Sequence, residues 1–150
     1  REEWVKYITR RFDETGKHIS RDDASLIAKL VECHPYYVQQ LAQLSWLHTS
    51  ETCNAAIVES AFESLVNQLS LLFSNIIDNL TAKQIAFLQA IANGEKNFSS
   101  REVLSRYDLG TSANIKNLRK ALLDKDLIDI LPDSTVIQDP VFAYWLKKKY

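Results

Sequence analysis

The sequence predicts a mainly α-helical chain in two parts: a helical bundle over residues 1–79, and over residues 80–150 three short helices, a β-hairpin and a closing helix. Three observations predict it. Apolar residues recur at steps of three and four through most of the chain, the spacing of one helix face. The period changes to two at Ile128-Asp129-Ile130-Leu131 and Thr135-Val136-Ile137-Gln138, which flank Pro132-Asp133-Ser134 as a hairpin would. The charge also changes sign: residues 1–80 hold 7 basic and 11 acidic side chains, whereas residues 81–150 hold 11 and 8.

Trp4, Tyr7, Ile8 and Phe12 form the first helical stripe, closed by Gly16. Ser20 is an N-cap with Asp22 and Asp23 in the first turn behind it, where carboxylates suit the helix dipole, and Ala24, Ile27, Leu30 and Val31 follow. Pro35 suits the first position of the next helix, whose stripe is Val38, Leu41, Ala42 and Ser45. The fourth helix, about Asn54 to Asn79, carries Val58, Phe62, Leu65, Leu69, Leu72 and Ile76 in alternating steps of four and three. At 1.5 Å per residue it runs on the order of 35 Å, enough to reach both parts. Thr81–Gln84 and Ser99–Glu102 read as capping boxes that open two short helices carrying Ile85, Leu88 and Ile91, then Val103 and Leu104. Gly110 punctuates, Thr111 or Ser112 caps, and Ile115, Leu118 and Leu122 drive the next helix. After the hairpin, Asp139-Pro140 starts a last helix with Val141, Phe142, Tyr144, Trp145 and Leu146, ending in Lys147-Lys148-Lys149. Three helices followed by a hairpin is the order of a winged helix, a helix-turn-helix with a β-hairpin wing.

Composition excludes several classes. Hydrophobic residues at 46% and charged residues at 25% are those of a globular chain, and 3 Gly with 3 Pro rule out low complexity. No apolar run approaches a membrane span, so no membrane association is expected. Cys33 and Cys53 are too few for a disulfide framework, which suggests a reducing, cytoplasmic location. Nucleotide hydrolysis needs a G-x-x-x-x-G-K-[ST] cradle, because backbone N–H groups must approach the phosphates, and Gly16, Gly94 and Gly110 stand isolated. His18, His34 and His48 pair with no carboxylate or serine at a catalytic spacing, and zinc would need four tightly spaced ligands. No catalytic site and no metal site are expected. The chain starts Arg1-Glu2-Glu3-Trp4 without Met, and the expectation is a piece of a longer protein.

Cys33-His34-Pro35-Tyr36-Tyr37-Val38-Gln39-Gln40-Leu41-Ala42 resembles the helix start in the lid subdomain of the archaeal-type P-loop ATPases of the AAA+ and STAND superfamily. Trp4 to Phe12 with Gly16-Lys17 and Ile19-Ser20 resembles the entry into that lid, and Asp139-Pro140-Val141-Phe142 with Trp145 resembles the segment after the wing. The resemblance covers essentially the whole chain, in the family's order. It implies a helical lid that folds over ATP and Mg²⁺ bound by an N-terminal core of the same chain, with Pro35 and Tyr36 beside the base. A Gly-x-Pro turn is usual there; Cys33 stands in place of the glycine, and Tyr36 to Ala42 contain no arginine for the sensor position of some members. The lid would relay nucleotide state through the winged helix to double-stranded DNA or to a protein partner.

For DNA, the second helix of the motif, about Ser112 to Asp126, would enter the major groove. Asn114, Lys116, Asn117, Arg119 and Lys120 are expected to face solvent, with Thr111 and Ser112 donating to a phosphate. The wing, with Asp129 and Asp133 and no Arg or Lys, weakens the DNA case. Two other readings stand beside the ATPase one: a freestanding winged-helix transcription regulator with a dimerising helical half, and an interaction module that binds no nucleic acid.

Overall fold

The computed structural model describes all 150 residues. Its elements are α1 (Glu2–Glu14), β1 (His18–Ile19), α2 (Arg21–Leu30), α3 (Pro35–Leu47), β2 (Thr52–Cys53), α4 (Ala55–Asp78), α5 (Ala82–Ala92), α6 (Arg101–Arg106), α7 (Ser112–Asp124), β3 (Ile128–Ile130), β4 (Thr135–Ile137) and α8 (Pro140–Lys148). The fold is mainly helical, a helical bundle followed by a winged helix. Two compact units divide at Ser70/Leu71, inside α4, whereas the sequence pattern placed the change of rhythm after α4, at 79/80. No helix is long and apolar enough to cross a membrane.

In the first unit, α1 buries Val5, Ile8 and Phe12, while Trp4 and Tyr7 of the predicted stripe sit half-buried on its shoulder, ring edge to ring face at 5.8 Å. Ser20 caps α2 as expected, its Oγ accepting from the Asp23 N–H at 3.1 Å. The remaining core comes from Ala24 and Ile27 of α2, Leu41 of α3, and Val58, Phe62 and Leu65 of α4. One feature has no signature in the sequence. β1 and β2 pair in parallel, His18 with Thr52 and Ile19 with Cys53. Two residues are too few to show a period.

The second unit contains the end of α4. Helix α5 opens with a full capping box: Thr81 Oγ1 accepts from the Gln84 N–H at 3.2 Å, and Gln84 Oε1 from the Thr81 N–H at 3.0 Å. The second predicted box is corrected. Ser100, not Ser99, caps α6 by accepting from Val103 N–H, and Glu102 pairs with Arg106 at 3.0 Å instead of reaching back. The wing is antiparallel, with Ile128 opposite Ile137, Asp129 opposite Val136 and Ile130 opposite Thr135. Asp139 Oδ1 accepts from the N–H groups of Val141 and Phe142 at 2.9 and 3.0 Å, which starts α8.

The seam of α4 is also corrected in its last two turns. Val58, Phe62 and Leu65 are buried as the sequence pattern requires, but the buried residues beyond them are Phe73 and Ile77, while Leu72 is 54% exposed. An α-helix drifts about 20° per heptad against a strict four-three alternation, so a stripe extrapolated over two heptads lands on the wrong neighbour. Phe73 meets Phe142 at 5.2 Å and Trp145 at 5.6 Å between ring centroids. On the other side of this core, Phe87 of α5 meets Phe98 edge-on at 4.9 Å.

Two substitutions one residue apart separate these alternatives. Phe73→Ala is expected to lower unfolding stability by about 3–5 kcal/mol, and Leu72→Ala by less than about 1 kcal/mol, in chemical denaturation followed by near-ultraviolet dichroism. Asp139→Ala is expected to cost about 1 kcal/mol through the lost cap in the same measurement.

Candidate functional site

The α2–α3 turn is built by a Schellman closure. The Glu32 N–H donates to Lys29 O at 3.1 Å and the Cys33 N–H to Ala28 O at 2.8 Å, the paired bonds that satisfy the last carbonyls of a helix. Glu32 and Cys33 both take left-handed conformations, with φ of 50° and 59°. The backbone at Cys33 therefore has the geometry that glycine adopts freely, at the position where the resemblance expects glycine. His34 is the N-cap of α3 without a capping bond; its Nδ1 is buried without a partner, and its ring lies 4.8 Å from that of Tyr37.

Pro35 occupies the first turn of α3, where its missing N–H costs nothing, and it is exposed. Tyr36 beside it is 60% exposed, while Tyr37 is buried at 6%. The two rings touch edge-on at 5.5 Å. The turn thus presents an exposed proline and an exposed phenol side by side, on a support made rigid by Tyr37. Such a pair can pack against a flat apolar or aromatic surface; it offers no charge for phosphate.

The residues singled out around α7 separate into two groups. The α6–α7 turn is pinned by Leu109, fully buried, and by Asp108 and Gly110 with φ of 52° and 86°. A Cβ on Gly110 would lie 3.3 Å from Asn114 Nδ2, and the same Nδ2 lies 3.4 Å from Leu109 O. Asn114 therefore braces the turn. Arg119 is half-buried, with its guanidinium 5.9 Å above the Phe98 ring and its Nε enclosed without a partner. Thr111, Ser112, Lys116, Asn117 and Lys120 are exposed, and Thr111 caps α7 without a side-chain bond. Lys120 is paired with Asp124 at 3.1 Å. Lys116 is left as the cation of this face with no ion pair.

The expectation of outward-facing polar residues came from helical angle alone. Angle places Arg119 beside Leu118 and Leu122; only the folded chain reveals that the loop before α6 brings Phe98 under it. No cluster of His, Cys, Asp or Glu is placed to hold a metal ion. The two thiols differ. Burial pushes the Cys53 thiol above its ordinary value, partly offset by a hydrogen bond with Thr49, whereas Cys33 is half-buried.

Cys33→Val, which forces a β-branched residue into a left-handed backbone, is expected to lower stability by about 1–2 kcal/mol, while Cys33→Gly lowers it not at all, in urea titration. Thiol labelling of the native protein at pH 7.5 is expected to show one fast site, Cys33, and one slow site, Cys53. Equal rates would contradict the burial of Cys53.

The helix-turn-hairpin order of the second unit is matched by a family: the model of the family described as a probable winged helix domain covers residues 71–148. No curated protein matches the chain in sequence. Among solved structures, the Walker-type ATPase paby2304 of Pyrococcus abyssi is similar, with a TM-score of 0.74 and 16% sequence identity. The match covers 98% of this chain and 41% of that ATPase, so the chain spans well under half the length of the protein it resembles. The family model begins at Leu71, where the second compact unit also begins. With its α4 end, helix-turn-helix, wing and closing helix all inside the matched segment, this chain belongs to the winged helix domain family.

Proposed function

We propose that the chain is the C-terminal regulatory part of a P-loop ATPase, in which the first unit is the lid over ATP and Mg²⁺ held by an N-terminal core of the same polypeptide. The winged helix would relay nucleotide state onward. The observation that carries this reading is the breadth of the likeness: nearly the whole chain, helical unit and winged helix together, aligns with part of a Walker-type ATPase. A freestanding transcription regulator would call for the second unit alone to be matched.

The local geometry supports the same reading. Pro35 and Tyr36 are exposed together on a rigid turn, and Cys33 holds the left-handed backbone that a glycine would hold there. In this proposal these two residues cover the base, and the core supplies every phosphate and Mg²⁺ contact. The chain itself carries out no chemistry. A lid with this make-up works by moving as a body when nucleotide is bound or lost.

For the output, α7 offers Lys116, a paired Lys120, Asn117 and the hydroxyls of Thr111 and Ser112. Two lysine contacts would give a salt slope of only roughly −2 in duplex binding. The wing adds Asp129 and Asp133, which repel phosphate. A protein surface, in the parent or in a partner, is therefore favoured over DNA as the target of the winged helix.

The coding sequence upstream of Arg1 tests the main reading: a G-x-x-x-x-G-K-[ST] loop within a few hundred residues supports it, and a start codon just before Arg1 overturns it. In the full-length protein, Tyr36→Ala is expected to weaken ATP binding about 3–10-fold, on the scale of one base–aromatic stacking contact, by calorimetry. For the output, Lys116→Ala with Lys120→Ala should reduce the salt slope of any duplex binding by about 2; unchanged anisotropy titrations would remove α7 from a DNA role.

A further inference from the structure

The first unit holds a cleft of about 400 Å³ between α1 and α3, apart from the exposed Pro35–Tyr36 turn. Its floor is apolar, made by Ile8, Phe12 and Ala42. Tyr7 and Trp46 supply its aromatic surfaces, and Arg11, Gln39 and Gln43 its polar groups. That volume lies within the range of small-molecule sites and suits a body of one or two rings.

The aromatic wall is already set in place. The Trp46 Nε1–H donates to Thr15 Oγ1 at 2.9 Å. Lys17 donates from Nζ to Trp46 O at 2.8 Å and lies 3.8 Å from the centroid of the indole ring. Two elements thus hold one side chain, so a ligand stacking on it meets little ordering cost.

The polar groups are unspent. Arg11 lies 5.9 Å from the centroid of the Tyr7 ring and has no carboxylate within ion-pair distance. The nearest candidates in sequence are engaged elsewhere: Glu14 with Arg10 at 3.7 Å, and Asp13 with His18 at 3.8 Å. Gln39 and Gln43 lie one turn apart on α3, exposed, without hydrogen bonds inside the chain. An unpaired guanidinium and two open amides at the mouth of an aromatic cleft match a planar ring that bears a carboxylate. The fork of the arginine takes both carboxylate oxygens, and the amides donate to or accept from ring substituents.

We propose that the α1–α3 cleft is a binding site for a small planar aromatic carboxylate. The body of the ligand stacks on Trp46 and Tyr7 over the apolar floor, and its anionic end meets Arg11. This site is independent of the ATPase reading, because every residue in it belongs to α1, α3 or the Thr15–Lys17 turn.

The probes are 2-naphthoate and its neutral isostere 2-naphthamide, titrated into the ¹⁵N-labelled 150-residue chain at pH 7 and 0.1 M salt. The expected result is a saturable shift of the Trp46 indole N–H and of α1 and α3 amides, with naphthoate bound at least about fivefold more tightly than naphthamide, in keeping with one charge-assisted contact. Arg11→Gln should equalise the two ligands without moving the thermal midpoint by more than about 2 °C. Ala42→Leu, which fills the floor, should abolish both. Equal affinities in the unaltered chain would overturn the anionic part of the proposal. Absent shifts, shifts confined to α7 or the wing, or a cleft that responds only to acidic peptides, would overturn the site as a small-molecule site.

Discussion

Phe73 reaches the ring faces of Phe142 and Trp145 from the last two turns of α4, and the winged-helix unit is closed by that contact. A unit of this size has little interior to spend: three short helices and a hairpin of three-residue strands cannot enclose a core by themselves. Bringing the end of a 24-residue helix against α8 adds three large rings to one cluster. It also accounts for where the compact unit and the family match begin, at Leu71. The boundary lies inside a helix because the helix serves two cores in succession, Val58 to Val66 in one and Phe73 to Ile77 in the other.

A second constraint acts at the helix ends. Five helices finish with paired Schellman-type bonds, and the left-handed residue is Gly16, Glu32, Gly94, Asp108 or Asp126. Each non-glycine residue there carries a steric cost of about 1 kcal/mol. The cost is tolerated where the turn aims a functional element: Glu32 and Cys33 set the start of α3, and Asp108 sets the entry to α7. Lys83 adds to the second of these by donating from Nζ to Asp108 O at 2.9 Å.

The exposed chemistry follows from these supports. The α3 turn shows a proline and a phenol but no charge, which suits contact with a flat ring rather than with phosphate. On α7, two of the polar residues face inward as braces, so the surface has less positive charge than its composition implies. The α1–α3 cleft is the reverse case. Its aromatic residues are partly covered and held by hydrogen bonds, while its arginine and glutamines have no internal partners.

The order of helices, the hairpin, the caps at Ser20, Thr81 and Asp139, and the helical-bundle-plus-winged-helix architecture were all legible in the sequence. They depend on local periodicity and on side chains that bond to backbone three residues away, and both are properties of a short window. The resemblance around Pro35 was legible for the same reason. What the sequence did not determine involves partners far along the chain. The β1–β2 pairing joins residues 34 positions apart through two-residue strands. The phase of α4 near Phe73 is decided by the rings of α8, and the inward turn of Arg119 by Phe98. The cleft exists only because α1 and α3 come together with Trp46 tied to Thr15, a contact 31 residues apart. Helix angle says which side chains share a face; only the packing of other elements against that face decides which of them are covered and which remain free to bind.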